Sequence, residues 1–338
     1  MKIDDIDVQI LKILLKDGRA SFSSIAKKCK MSTNAIRMRY NNLKEKGVIT
    51  GSITQIDLRA IGYEYIAIIS IQTDFNEKND FFEDLLNIPN NIGYDILVSK
   101  YNIAAFFALK KVDEVDEILY RINKHPNVKQ TFLTLGTTEV GSDYPTNLNI
   151  EPCEIWDFPK KEAERQIIKC QNIKPEQIDR ELNTNIMDKT DILILNEMAN
   201  NARTSFNKIG TKTGISTQTA IDRYEKLKAK KVIFNSSITL DLSKLGYIGR
   251  ATFIIETANN NQAPDILCKL QKIPDAIMAM KFVGSPKILV IIVFKSIHQL
   301  INTHQEISRT SNIITVEFGI QEIFPSWPFE NFSRLISD

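Results

Sequence analysis

Apolar residues along the chain switch between a helical and a strand period, and both halves do so in the same order. From Asp7 to Lys16, the residues Val8, Leu11, Ile13, Leu14 and Leu15 form a helical stripe, and Gly18 closes it. Ser21 is suited to cap a short second helix through Ser24, Ile25, Ala26 and Lys28. After a tight turn at Lys30-Met31, Ser32 caps a third helix from Thr33 to Lys46, which Gly47 stops. Val48-Ile49 and Ile53 to Ile56 then read as two short strands of a wing. Three helices with a tight turn before the last, followed by a hairpin, predict a winged helix-turn-helix.

Beyond Tyr63 the period changes. Strands are expected at Ile66–Gln72, Tyr94–Ser99, Ile103–Lys110 and Val128–Leu135, with helices at Asn79–Asn87 and Val112–Lys124. The second half repeats this order at Ala251–Glu256, Asp265–Gln271, Ala276–Phe282, Ile288–Phe294, Ile297–Arg309 and Ile313–Ile323. A β-α-β-β-α-β order is ferredoxin-like, an antiparallel sheet with two helices on one face. The fold class expected is therefore α+β, two winged helix-turn-helix domains alternating with two ferredoxin-like (βαββαβ) domains. The domains divide as residues 1–60, 61–140, 188–247 and 248–324, with a linker at 141–187 and an aromatic tail at 325–338. The face of each sheet left bare by helices is apolar, which calls for a second sheet against it.

The two halves share more than a pattern. Asp7–Tyr63 and Asp191–Tyr247 align without a gap, and about 22 of 57 positions are identical. Among them are Arg19/Arg203, Ser21-Phe22/Ser205-Phe206, Ser32-Thr33/Ser216-Thr217 and Arg39-Tyr40/Arg223-Tyr224. Charge follows the repeat. Residues 1–60 carry 12 Lys/Arg against 6 Asp/Glu, and residues 188–247 carry 10 against 6. Residues 61–140 carry 7 against 12, so basic charge gathers in the repeated modules although the chain's net charge is only +2. Two basic modules with one recognition helix each suit a polyanion of repeated geometry, and double-stranded DNA is the partner expected.

Spacing on the third helix separates its tasks. Ile36, Tyr40 and Leu43 share an inward face. Asn34, Arg37, Met38 and Asn41 face the other way, where a major groove is read. Ser32, Thr33 and Lys44 lie at the ends of the same helix, within reach of phosphates, and Arg39 sits at its flank, placed for a phosphate or for an internal ion pair. In the second copy the corresponding DNA-binding candidates are Thr217, Gln218, Thr219, Arg223 and Lys226, and the outward set becomes Gln218, Ile221, Asp222 and Glu225. Carboxylates repel a phosphate backbone yet can accept from cytosine, so the first copy is expected to be the stronger reader. Asn34, Arg37 and Gln218 are the expected base contacts.

Composition narrows the alternatives. Cys29, Cys153, Cys170 and Cys268 lack metal or disulfide spacing and suit reduced thiols in a cytoplasm. Apolar runs such as Ile66–Ile71 and Ile288–Phe294 are strand-sized, so no membrane span is expected, and the acidic, polar start does not read as a signal peptide. His125, His298 and His304 lie at helix ends or on polar helices, and no GxSxG, P-loop, Rossmann or metal-spaced pattern occurs. No enzyme activity, metal or cofactor is expected on these grounds.

The stretch DDIDVQILKILLKDGRASFSSIAKKCKMSTNAIRMRYNNLKEKGVI, with its second copy and the segments after each, resembles the Lrp/AsnC (feast/famine) transcriptional regulators. The resemblance implies DNA binding through the third helix, dimerisation through the sheets and, often, an amino-acid effector between ferredoxin-like domains. That family has a Val-Thr-Gly-x-x-Asp turn near the effector site. Here the turns read Val98-Ser99-Lys100-Tyr101-Asn102-Ile103 and Phe282-Val283-Gly284-Ser285-Pro286-Lys287. Without its carboxylate such a turn does not hold an ammonium in the usual way, so the ferredoxin-like domains are expected to be structural assembly domains; if a small-molecule effector binds at Lys100, Asn102, Gly284 or Lys287, the lysines favour an anionic one over an amino acid. The sirohaem decarboxylases resemble the same fold and are the alternative; KYNIAAFFAL at Lys100–Leu109 is faintly similar to one of their strands, without the His-bearing stretch before it.

Family members usually carry one module per chain. This chain carries two, so an intramolecular pseudo-dimer or a homo-oligomer is expected, reading half-sites about 10 bp or a multiple apart. Because the two third helices differ, the expected target is asymmetric. Tyr144, Trp156 and Phe158 in the linker, with expected short helices at residues 160–169 and 175–182, and Phe324, Trp327, Phe329 and Phe332 in the tail, suit segments docked onto a domain.

Overall fold

The computed structural model describes residues 2–74, 80–97, 100–137, 148–155, 187–259, 261–329, 332 and 335. The chain divides into two compact units, each drawn from both copies: residues 1–61, 149–247 and 324–338 form one, and residues 62–148 with 248–323 form the other. Most of the linker, with Tyr144, Trp156, Phe158 and the two expected linker helices, lies outside the described residues, as do Val98 and Ser99.

The first unit holds both helix-turn-helix modules. Helices α1 (Asp5–Lys16), α2 (Phe22–Cys29) and α3 (Thr33–Glu45) make one; α6 (Lys189–Ala199), α7 (Phe206–Thr213) and α8 (Thr217–Ala229) make the other. Helix α1 begins two residues before the expected Asp7. Asp4 accepts from the Asp7 amide at 2.9 Å and Asp7 accepts from the Asp4 amide at 3.3 Å, a reciprocal cap that satisfies two otherwise orphaned donors. Asp188 and Asp191 repeat it on α6. Ser21, Ser32, Ser205 and Ser216 cap the other helices as expected. Each turn before the third helix needs a left-handed residue, supplied by Lys30 (φ 53°) and Gly214 (φ 73°).

The wing differs from the expected hairpin. Instead of two short strands folding back, each copy has one continuous strand, β2 (Ile49–Ile56) and β8 (Ile233–Leu240), and these pair antiparallel with each other, Ser52 opposite Ile238 and Thr54 opposite Ser236. Gly51-Ser52 could turn the first copy's strand, but the second copy has Asn235-Ser236 there, and both pairs lie extended in the ribbon; buried backbone groups need partners, and each module takes them from the other's strand. Helix α1 packs against β8 and α6 against β2, so the two modules share one core. The tail contacts this ribbon at two places: buried Trp327 exchanges backbone hydrogen bonds with Leu240 at 2.7 and 2.9 Å, and the Gln55 side chain donates to the Phe329 carbonyl at 2.7 Å. A short strand β1 (Lys2–Ile3) pairs with β7 (Cys153–Glu154).

The second unit holds two ferredoxin-like domains. One is β3 (Tyr65–Thr73), α4 (Asp80–Asn87), β4 (Asn91–Ile96), β5 (Ile103–Leu109), α5 (Glu114–Asn123) and β6 (Val128–Thr137), with sheet order β4-β5-β3-β6. The other is β9 (Gly249–Thr257), α9 (Ala263–Leu270), β10 (Ala276–Lys281), β11 (Lys287–Phe294), α10 (Ile297–Ser308) and β12 (Ile313–Gln321), with order β10-β11-β9-β12. Alternate strand residues such as Ala67, Ile69 and Phe107, or Phe253, Val290 and Ile292, form cores under their own helices. The intervening residues Ile66, Ile68, Leu289 and Ile291 are buried as well, on the faces that their own helices leave bare. The copies meet there, with Gly136 bridged to Phe282, the Val283 amide donating to the Leu135 carbonyl at 2.7 Å, and Arg250 paired with Asp95. No helix among the described residues is long and apolar enough to cross a membrane.

Candidate nucleic-acid interface

Ser32 fixes the start of α3 by accepting from the Ala35 amide at 3.1 Å. Ile36 and Leu43 anchor its inner face in the core, and Tyr40 is half-buried beside them. The opposite face presents Asn34, Arg37, Met38, Asn41 and Lys44, all exposed. Met38 is 72% exposed, a large apolar side chain with no packing role. Lys27, Lys28 and Lys30, exposed on α2 and the turn after it, extend the positive surface beyond the expected residues.

Helix α8 is built alike but presents a different face. Ser216 caps it and also hydrogen-bonds the Thr219 hydroxyl at 2.7 Å, so Thr219 serves the cap. The Gln218 side chain donates to the Asp222 carboxylate one turn on, at 2.8 Å, which holds the pair as an exposed, acceptor-rich edge. Thr217, Glu225 and Lys226 are exposed beside it. Lys212, on α7, is engaged by Glu197 at 2.6 Å. The first face thus offers donors and an apolar tip, and the second offers acceptors.

Of the two roles open to Arg39, phosphate contact or internal ion pair, the structure has the second. Its Nη1 lies 2.8 Å from both Asp4 and the buried Asp7, and Arg223 repeats this with Asp188 at 2.6 Å and Asp191 at 2.9 Å. Both arginines tie the third helix to the first. Burial acts to raise the Asp4 carboxyl pKa, but the Asp7 amide and Arg39 outweigh it and hold the group below the ordinary carboxylate range. Asp188 behaves the same way with Arg223. Donating to Asp7 first, and to Asp4 after, holds Arg39 more firmly protonated.

Arg19 and Arg203 were legible only as repeated residues, with no role attached. Each crosses into the other copy. Arg19 donates to the carbonyls of Ala202 and Thr204, the latter at 3.0 Å, and lies over the Phe206 ring at 4.1 Å and the Tyr224 ring at 5.3 Å. Arg203 donates to Gly18 at 2.5 Å and Ala20 at 3.2 Å, and lies over Phe22 at 4.9 Å and Tyr40 at 5.4 Å. Gly18 also lets its loop lie against β8 of the other copy: a Cβ there would meet the Ser237 backbone at 2.7–2.9 Å. Burial lowers the Arg19 pKa, and burial also raises that of the Tyr40 hydroxyl, against the pull of Arg203.

The effector candidates do not form one site in either turn. Asn102 accepts from the Thr73 amide at 2.9 Å and donates to the Thr73 carbonyl at 2.8 Å. Lys100 is exposed near the Tyr101 ring at 5.1 Å, Gly284 is exposed with φ 68°, and Lys287 opens β11 opposite Glu256. The histidines are apart: His125 beside Phe81 and Asp84, His298 bonded to Asn302, and His304 against Phe253 and Phe318. Among the described residues no group of His, Cys, Asp and Glu is arranged to hold a metal.

Residues 3–50 match the family described as winged helix-turn-helix DNA-binding, and residues 187–228 match the AsnC-type helix-turn-helix domain. An uncharacterized HTH-type transcriptional regulator of Pyrococcus furiosus is 40% identical over 146 residues, covering 43% of this chain and 97% of that protein. The HTH-type transcriptional regulator Ptr1 of Methanocaldococcus jannaschii is 27% identical over 146 residues, covering 42% of this chain and 99% of that protein. Each relative therefore corresponds to about one of the two modules. Among solved structures, the siroheme decarboxylase NirDL aligns with a TM-score of 0.59 over 98% of this chain and 96% of that one, at 13% identity. That likeness extends to the fold along the whole chain and carries nothing about its chemistry.

Proposed function

Because the chain belongs to the Lrp/AsnC family of transcriptional regulators, we propose that it binds duplex DNA with both helix-turn-helix modules and reads an asymmetric, bipartite site. The observation that supports this most is the unlike pair of exposed faces on α3 and α8, carried in one unit by a shared ribbon. On α3, Arg37 suits bidentate contact with guanine, Asn34 and Asn41 suit adenine, and Met38 suits a thymine methyl. On α8, the acceptor edge of Gln218 and Asp222 suits an exocyclic amine, above all that of cytosine. Lys27, Lys28, Lys30 and Lys44 around the first face, and Lys208, Lys226 and Lys228 around the second, would carry the phosphate contacts.

In this reading one chain supplies what two chains of a single-module regulator would supply. The protein acts inside the cell and adjusts transcription, and the ferredoxin-like unit serves assembly. The test is selection of the purified protein on random duplexes, with binding repeated across a salt series. A bipartite motif with unlike halves, and an affinity falling steeply with salt, is the expected result. A motif with a single half would reassign α8 to a protein contact, and binding without any motif would remove sequence-specific regulation.

A further inference from the structure

Two arginines whose hydrogen bonds go to backbone carbonyls, each reaching across to the other copy, call for a reason. A contact needed only as glue between two modules is served as well by apolar side chains, because a guanidinium taken from water costs desolvation. What a guanidinium adds is direction. Its planar fork fixes it to two carbonyls while its flat face lies on aromatic rings. Here the carbonyls belong to the loop between the first two helices, and one of the two rings, Tyr40 or Tyr224, belongs to the third helix of the same module. Each arm therefore ties the loop of its own copy to the recognition helix of the other. The ribbon of β2 and β8 joins the modules too, but a two-stranded ribbon has a wide range of twist and cannot by itself set an angle.

We propose that Arg19 and Arg203 are reciprocal positioning residues that fix the separation of α3 and α8, and thereby the half-site spacing the protein accepts. The part concerning spacing rests on the DNA reading above; the part concerning separation does not. Lys in place of either arginine keeps the charge and loses the fork and the flat face, so the folded protein is retained while the arm loses its direction.

Two measurements on the full chain decide the matter. In the first, spin labels at Asn41→Cys and Glu225→Cys, with Cys153, Cys170 and Cys268 replaced by serine, report the distance between the recognition helices without DNA. A single narrow distribution is expected for the arginine protein, a broader or shifted one for Arg19→Lys/Arg203→Lys, and an intermediate one for Arg203→Lys alone. An unchanged distribution in a double variant that melts as one folded species overturns the proposal. In the second, selection on random duplexes should return the same half-site bases for the double variant but several spacings instead of one. A purely structural role would lower the melting temperature and leave the spacing sharp, which also overturns it. Should the arginine protein itself select no motif, the DNA reading fails, and the distance measurement alone still decides whether the arms set the separation.

Discussion

The two modules are alike at their helix caps and at the side chains that cross between them, and unlike on the faces of their third helices that point outward. Their Ser and Asp caps, the arginines that cross between copies, the rings beneath those arginines, and the ties from third to first helix are identical in both. Their exposed faces are not: Arg37, Met38 and Asn41 stand where the other copy has Ile221, Asp222 and Glu225. The contrast separates two demands on one sequence. A pair of modules that share a core must keep complementary inner surfaces, because each completes the other. Their outer surfaces are free to diverge, and divergence there is what converts a symmetric reader into an asymmetric one.

The largest effect should come from the shared features, and should be alike in both copies. Arg39→Ala strands the buried Asp7, and Arg223→Ala strands Asp191, so each is expected to lose up to about 3 kcal/mol in urea unfolding. Unequal losses would mean the ties are not equivalent. A smaller effect should separate the copies. Gly18→Ala would press a methyl onto the Ser237 backbone and should cost roughly 1–3 kcal/mol. The reverse change in the other copy, Ala202→Gly, should cost only about 0.5–1 kcal/mol in the same assay.

Comparable in size but felt in binding alone, Arg37→Ala should lose about 1–3 kcal/mol of affinity and relax one half-site, with unchanged stability. Asp222→Ala should relax the other half-site only, as read by selection on random duplexes. The smallest effect is on pH. Asp4 and Asp188 have folded pKa values below the ordinary carboxylate range, so their stabilisation is complete above about pH 4 and fades as pH falls through the folded values. Melting temperature should drop on going from neutral to strongly acidic solution, and Asp4→Asn/Asp188→Asn should flatten that drop. Because both carboxylates are half exposed, the change should be modest.

Much of the fold was legible because each element announces itself locally. Serines before apolar stripes marked the helix starts, and the switch to a period of two marked the strands to within a residue or a few. Partners were not legible. The eight residues from Ile49 carry no sign that their neighbour lies at Ile233, so a hairpin was the natural expectation. Asp4 precedes the apolar stripe of α1, and only the cap geometry extends the helix to it. Arg39 could be read as phosphate-binding or as internally paired, since its partners lie on another helix more than thirty residues away. Arg19 and Arg203 repeat in both copies, which marks them as constrained without saying by what. The outward residues of α3, and those of α8 apart from the half-buried Ile221, were readable from helical spacing alone, because exposure on a short amphipathic helix depends mostly on the helix itself.

Asymmetric reading is tested most directly with three duplexes built from one selected site: the site itself, a palindrome of its first half and a palindrome of its second half. Fluorescence anisotropy at fixed salt then ranks them. The native arrangement should bind tightest, the first palindrome more weakly and the second weakest. Equal affinity for the site and either palindrome would contradict the asymmetry assigned to the two recognition helices.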